Sequence, residues 1–213
     1  CYKRLQHDGL SPDAVTFTFL LKACGSIGAA DKGEEIHVDI VKEGLLKTDI
    51  LVANALIDMY AKCGALDKAQ EVFDGLLVWD VVSSTTLISG YSQHGHAKEA
   101  FEFLIQMQKD FIVPNAVTFI SVLSACSHAG FISEGFWCSH LMCRKHHITL
   151  TLEHYDCIID LLSRAGMLNE AEILIRKMPL QPTAISLMPL LSACRYQSDI
   201  NRANRIAWSI FSK

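Results

Sequence analysis

Apolar residues recur three and four positions apart over most of this chain, with polar residues filling the steps between. In Asn54-Ala-Leu-Ile-Asp-Met-Tyr-Ala-Lys-Cys-Gly64, Leu56, Met59 and Tyr60 share one helical face, and after the glycine Leu66, Ala69, Val72 and Phe73 share another. That spacing predicts two amphipathic helices, and Gly64 predicts the break, because glycine enters the left-handed conformation that ends helices at little cost. A hairpin this short cannot bury both apolar faces alone, so it needs neighbours.

The same turn returns along the chain, at Ala23-Cys-Gly-Ser-Ile-Gly28, Ser92-Gln-His-Gly95, Ser127-His-Ala-Gly130 and Ser163-Arg-Ala-Gly166, with Ser198 in the glycine place of a sixth. From Gly28 to Ser198 the steps are 36, 31, 35, 36 and 32 residues. A second marker keeps the same register: Cys24, Cys126 and Cys194 close Leu-Leu-Lys-Ala-Cys, Val-Leu-Ser-Ala-Cys and Leu-Leu-Ser-Ala-Cys, at spacings of 102 and 68 residues. A period in the range of about 20–50 residues marks a solenoid. The segments are the end of a truncated repeat at 1–13, then repeats at 14–49, 50–80, 81–115, 116–151 and 152–183, and a last hairpin at 184–213. Thr16 is an expected N-cap, and helices are expected at 31–43, 83–94 and 97–109. Val81-Val82 and 148–152 are rich in β-branched residues but too short and isolated to form a sheet. The fold class is therefore all-α, an array held by nearest-neighbour contacts.

Composition narrows the function. No apolar run approaches the roughly 20 residues of a membrane-crossing helix. The 23 Asp and Glu outnumber the 19 Lys and Arg, a formal charge of −4, so any polyanion would have to be bound by local features rather than by a global field. Eight Cys show no recurring pairing and no Cys-x-x-Cys, which reads as free thiols. The chain starts at Cys1 with the period already running, which reads as a piece of a longer protein whose targeting peptide lies elsewhere. Cys138, His140, Cys143, His146 and His147 are dense enough to suggest zinc, but their spacings match no common structural site on one helix face. A thiol enzyme would need a base at defined geometry, and none is signalled.

These residues resemble the pentatricopeptide repeat family, in its plant subclass with alternating long, short and standard repeats. The motifs are Val15-Thr-Phe-Thr-Phe-Leu-Leu-Lys-Ala-Cys24, Asn54 to Gly64, Leu87-Ile-Ser-Gly-Tyr-Ser-Gln-His-Gly95, Phe119 to Gly130 and Glu153 to Gly166, and Leu190-Leu-Ser-Ala-Cys-Arg195 resembles the extension that closes such arrays. The resemblance implies a right-handed α-solenoid that binds single-stranded RNA, one base per repeat. It implies a monomer that recognises organellar transcripts in the mitochondrion or chloroplast and places a C-to-U editing activity. The cytidine-deaminase signatures H-x-E and C-x-x-C are absent here, so that catalyst would be a missing part or a partner in trans, and the chain needs no cofactor.

Carried over position by position, the base-edge pairs are Thr18 with Asp49, Asn54 with Asp80, and Thr85 with Asn115, and the residues that sandwich the bases are Val15, Leu51, Val82 and Val117. The family pattern then gives G, U, A from 5′ to 3′. Ile120 with Thr151 and Asp156 with Thr183 depart from it and carry no base assignment. Ser84 and Leu187 stand where tryptophan is common, with Trp79 five residues before Ser84. Two other accounts stay open at this level. The paired residues are also good helix caps and loop residues, and a tetratricopeptide-type scaffold would use the same solenoid to hold a peptide.

Overall fold

The computed structural model describes residues 12–211 and forms thirteen α-helices, with no strand among the described residues. They come in pairs: α1 (Ala14–Ile27) with α2 (Ala30–Lys42), then a short α3 (Leu45–Thr48), α4 (Ile50–Lys62) with α5 (Leu66–Asp74), α6 (Val81–Gln93) with α7 (Ala97–Lys109), α8 (Ala116–Ala129) with α9 (Ile132–Arg144), α10 (Leu152–Arg164) with α11 (Leu168–Lys177), and α12 (Ala184–Tyr196) with α13 (Ile200–Phe211). The first helices α1, α4, α6, α8, α10 and α12 pack on one another in series. The second helices form an outer layer, and each but the last, α13, is seated between its own first helix and the next one. The result is a helical solenoid. The segment 1–13, expected as the end of a truncated repeat, lies almost wholly outside the described residues.

The two-layer arrangement follows from the apolar pattern. An inner helix has neighbours on both sides and behind, and α4 accordingly buries Val52 to Ile57 and Met59 to Ala61. An outer helix buries a narrow stripe, as α7 does with Ala97, Ala100, Leu104 and Met107. The interior runs as two apolar clusters that adjoin at Leu87 and Ile88 on α6, with Tyr91 and Phe103 packed against both. Every turn between paired helices holds a left-handed residue at the expected position. Five are glycines, and Ser198, the sixth, adopts φ 57°.

Two local expectations needed correction, and one element was not anticipated. Thr16 does not cap α1: the helix begins at Ala14 because the Asp13 carboxylate accepts from the Thr16 amide at 2.8 Å. The α6 helix begins at Val81 rather than at 83 because Asp80 accepts from the Val82 and Ser83 amides, each at 2.9 Å. The extra residues of the 14–49 segment form α3, entered through Gly44 at φ 69°.

The missing tryptophans have different consequences. Leu187 packs into the core at 4 % exposure. Ser84 leaves a cavity of about 290 Å³, lined by Phe73, Trp79, Phe103 and Met107 among others, and its hydroxyl donates to the Asp80 carbonyl at 3.0 Å. Trp79 packs on Phe73 at 5.7 Å and closes one side of the space. Ser84→Trp is expected to fill this cavity and to raise stability by about 1–2 kcal/mol, from the apolar area it buries. Thermal unfolding followed by circular dichroism checks it. A lower midpoint would mean that Trp79 already takes the room the new ring needs.

Candidate nucleic-acid interface

The residues expected to read bases sit at the starts of the inner helices, and their local bonds explain how each is held. Asp49 Oδ1 accepts from the Leu51 and Val52 amides at 2.9 and 3.3 Å. Asp80 Oδ1 accepts from two amides and from the Ser83 hydroxyl at 3.1 Å. Asn115 Oδ1 accepts from the Thr118 amide at 3.0 Å and the Thr118 hydroxyl at 3.1 Å, while its own amide donates back to Thr118 Oγ1 at 3.2 Å. All three are helix N-caps, so that account of them is correct. Capping uses one atom of each side chain. The second carboxylate oxygen of Asp49 and of Asp80 is left as an acceptor, and the Asn115 NH₂ is left as a donor. The same cap geometry aims all three.

The partner residues lie one turn further in. Thr18 is half-buried and donates its hydroxyl to the Ala14 carbonyl at 2.9 Å. Asn54 is 8 % exposed, and its side-chain carbonyl is enclosed without a hydrogen-bond partner. Thr85 is also 8 % exposed, and its hydroxyl lies 2.7 Å from that of Thr118. Because Thr118 gives its proton to Asn115, Thr85 donates to Thr118 and keeps its lone pairs for another donor. Thr85, Thr118 and Asn115 are one connected network across two repeats. Thr118 was not singled out from the sequence, because a bond spanning 33 residues depends on how α6 and α8 are aligned.

The four expected sandwich residues are exposed where an apolar residue would normally be buried. Val15 is 61 % exposed, Leu51 68 %, Val82 50 % and Val117 55 %. Each is the second residue of its helix, on α1, α4, α6 and α8. The third set comes together fully: Val82, Thr85, Asn115 and Val117 line one groove pocket of about 320 Å³, with Asp58, Lys62 and Gln93 further down. Its floor is tight. A Cβ on Gly90 would stand 2.6 Å from that of Ala61, so α4 and α6 approach here as only glycine permits. Lys62, paired with Asp58 at 2.7 Å, lines the same pocket and was not anticipated.

The remaining sets look different. Ile120 is half-buried, and Thr151 and Thr183 cap α10 and α12. Asp156 Oδ1 is enclosed with no hydrogen-bond partner. The suspected zinc residues scatter: Cys138 is fully buried, His146 packs on Phe119 at 5.7 Å, and His140 and His147 are exposed. Among the described residues no three metal-ligating side chains converge.

His154 takes the capping-box place in α10. It is fully buried, with Nδ1 3.1 Å from the Thr151 amide and Nε2 3.1 Å from the Ala116 carbonyl. These partners require an accepting Nδ1 and a protonated Nε2, a neutral ring. Burial holds its pKa below the usual histidine value, against the opposing effects of the Ala116 bond and Glu153. Burial likewise lowers His37 and His146. The unfolded chain therefore takes up these protons first. Stability is expected to hold above pH about 6.5 and to fall as the pH drops from there through the lower folded values. Urea midpoints between pH 8 and 5 check this, and His154→Gln, which keeps an acceptor and a donor without titrating, is expected to flatten the curve.

Comparison with known proteins agrees with this architecture. The profile described as PPR repeat matches residues 15–45, 52–81 and 153–180, and that of the PPR repeat family matches 79–128. The Arabidopsis thaliana pentatricopeptide repeat-containing protein DOT4, chloroplastic, is 42 % identical over 97 % of this chain and 24 % of its own length. A mitochondrial pentatricopeptide repeat-containing protein of the same plant is 43 % identical over 93 % of this chain and 26 % of its own. This chain thus spans about a quarter of either relative. Among solved structures, the pentatricopeptide repeat protein PPR10 in complex with an 18-nt psaJ RNA element superposes with TM-score 0.70 at 28 % identity, over 82 % of this chain and 26 % of that one. PPR10 from maize superposes with TM-score 0.73 at 21 % identity, over 94 % and 30 %. The matched repeats, the paired helices with left-handed turns and these relatives agree: the chain belongs to the pentatricopeptide repeat family.

Proposed function

We propose that this chain binds single-stranded RNA along the face of its inner helices, one base per repeat, and reads G-U-A from 5′ to 3′. The carrying observation is the pocket that gathers Val82, Thr85, Asn115 and Val117. Two exposed valines flank a donor, the Asn115 NH₂, and an acceptor, Thr85 Oγ1. An adenine edge offers the complement, an N6 amine and an accepting N1. At the second site the free oxygen of Asp80 suits the ring N–H of uracil, with the Asn54 amide for a carbonyl. At the first, Thr18 and the free oxygen of Asp49 suit the donors of guanine. Val15, Leu51, Val82 and Val117 cover the base faces.

The subclass reading adds a setting: alternating long, short and standard repeats, a closing extension at 184–213, and recognition of organellar transcripts for C-to-U editing, with a deaminase acting in trans or from a part of the protein outside this chain. The chloroplastic and mitochondrial names among its relatives support an organelle. In this setting the chain, a monomer, recognises and positions RNA and does not catalyse.

Fluorescence anisotropy with short labelled RNAs tests it. G-U-A is expected to bind more tightly than its permutations and than the same sequence in DNA, and Asn54→Thr is expected to move the second preference toward a purine. Equal binding to all sequences would defeat base reading. No binding by a helical, folded chain would favour a protein partner in the groove, as in tetratricopeptide-type scaffolds.

A further inference from the structure

Beyond the third base position a second, larger cavity of about 980 Å³ lies between α8, α10 and α12. Its lining repeats the places of the smaller pocket with different chemistry. Ile185, 73 % exposed, is the second residue of α12, the place of Val82 on α6 and Val117 on α8. Arg164 and Tyr196 end α10 and α12 as Lys62 and Gln93 end α4 and α6. Tyr196 is 89 % exposed and Met188, on the same helix, 56 %. An aromatic ring and a thioether left this open belong to no core.

The base-edge pairs of the first three sites are not repeated here, and the one polar residue at their place, Asp156, has its Oδ1 enclosed. Ile120 and Met188 carry no hydrogen-bonding group at the places of Thr85 and Asn54, and the Thr183 hydroxyl faces Ser186 Oγ at 3.4 Å in its own cap. What the cavity offers instead is a stacking face at Tyr196, apolar side chains at Ile185 and Met188, and Arg164 in a wall that also holds Ser127, His128 and Asp160. Asp160 Oδ2 receives the Ser127 hydroxyl at 2.5 Å and Arg164 Nε at 2.8 Å. That contact anchors Arg164 by one edge and leaves its two Nη groups to donate elsewhere. An aromatic face holds any base, because every base has a π-face, and a guanidinium fork holds any phosphate.

We propose that this cavity seats the nucleotides immediately 3′ of the three read bases and grips them without reading them, by stacking on Tyr196 and by phosphate contact with Arg164. The placement rests on the base-reading function proposed above, which sets the direction of the strand. The two pockets touch opposite ends of α8, the smaller one at Val117 and this cavity at Ser127 to Ala129, so an RNA held at Asn115 and laid along α8 would reach this cavity. The same protein thus divides its groove into a half that selects and a half that holds.

The test compares labelled RNAs in anisotropy titrations of the chain: G-U-A alone, G-U-A with three added 3′ nucleotides of several compositions, and G-U-A with three added 5′ nucleotides. The 3′ additions are expected to tighten binding about tenfold whatever their bases. Tyr196→Ala is expected to return the extended RNAs to the affinity of the unextended one, and Tyr196→Phe to retain the gain. Tyr196 is exposed, so its loss leaves the fold intact. No 3′ gain, an equal gain from 5′ additions, or a gain that survives Tyr196→Ala overturns the inference while a persisting G-U-A preference leaves base reading standing. Absence of any G-U-A preference overturns both, since nothing would then define the 3′ side. A peptide that competes with the 3′ extension but not with G-U-A would also overturn it, by assigning the cavity to a protein partner.

Discussion

Asn115→Asp is expected to change the third preferred base from adenine to guanine. The substitution keeps the cap, because aspartate and asparagine are equivalent N-caps, and the oxygen that accepts from the Thr118 amide and hydroxyl is present in both. Only the outward atom changes, from an NH₂ donor to an oxygen acceptor. Adenine N1 then faces a carboxylate and loses its partner, whereas guanine N1–H gains one. Thr85 stays tied to Thr118 at 2.7 Å in both proteins, so the change in preference comes from position 115. A well-formed base contact discriminates by about 1–3 kcal/mol, so the preference is expected to reverse by roughly 10-fold in each direction, or about 100-fold as a ratio. Anisotropy against G-U-A and G-U-G RNAs measures it, with a thermal melt to verify that stability is unchanged. A variant that melts normally and still prefers adenine would detach Asn115 from base reading and leave it a cap alone.

This experiment separates two accounts that the sequence could not separate. Asp49, Asp80 and Asn115 are recognisable as cap residues from one helix start, and as base-reading residues from the family pattern. Their double use is visible only when the atoms are counted: Oδ1 is spent on amides and the other atom is not. The helix pairs were legible because their signals are local. Apolar spacing marks each face, and a glycine or Ser198 marks each turn. Contacts between repeats were not legible. Thr118 against Thr85, and His154 against Ala116, join residues 33 and 38 positions apart, and no local pattern records how two inner helices are aligned. The Thr16 error has a related cause. Asp13 and Thr16 both suit a cap, and the winner is decided by which side chain reaches a free amide. Lys62 was missed because a cation in the last turn of a helix is already explained by the helix dipole, so nothing pointed to the groove.

Phe119→Ala is expected to be strongly destabilising, and its damage is expected to be local. Phe119 is fully buried in the first turn of α8 and packs on His146 from the segment after α9. Removing such a ring costs about 3–5 kcal/mol, a large share of the roughly 5–15 kcal/mol that keeps a domain folded. In a compact domain that loss would be felt everywhere. Here each repeat touches only its neighbours, and the two apolar clusters adjoin through a narrow zone at Leu87 and Ile88, with Phe119 in the second. Amide exchange is therefore expected to quicken most in α8, α9 and α10, while α1, α4 and α5 keep their protection. The third base position, built on Asn115 and Val117 at the start of α8, is expected to lose its preference before the first, built on Val15, Thr18 and Asp49. RNA binding would then weaken from the 3′ side while some selection for the 5′ guanine persists. Uniform loss of protection across all helices would mean that the array unfolds as one cooperative unit, with the zone at Leu87 and Ile88 transmitting the damage from Phe119 to the first two base positions.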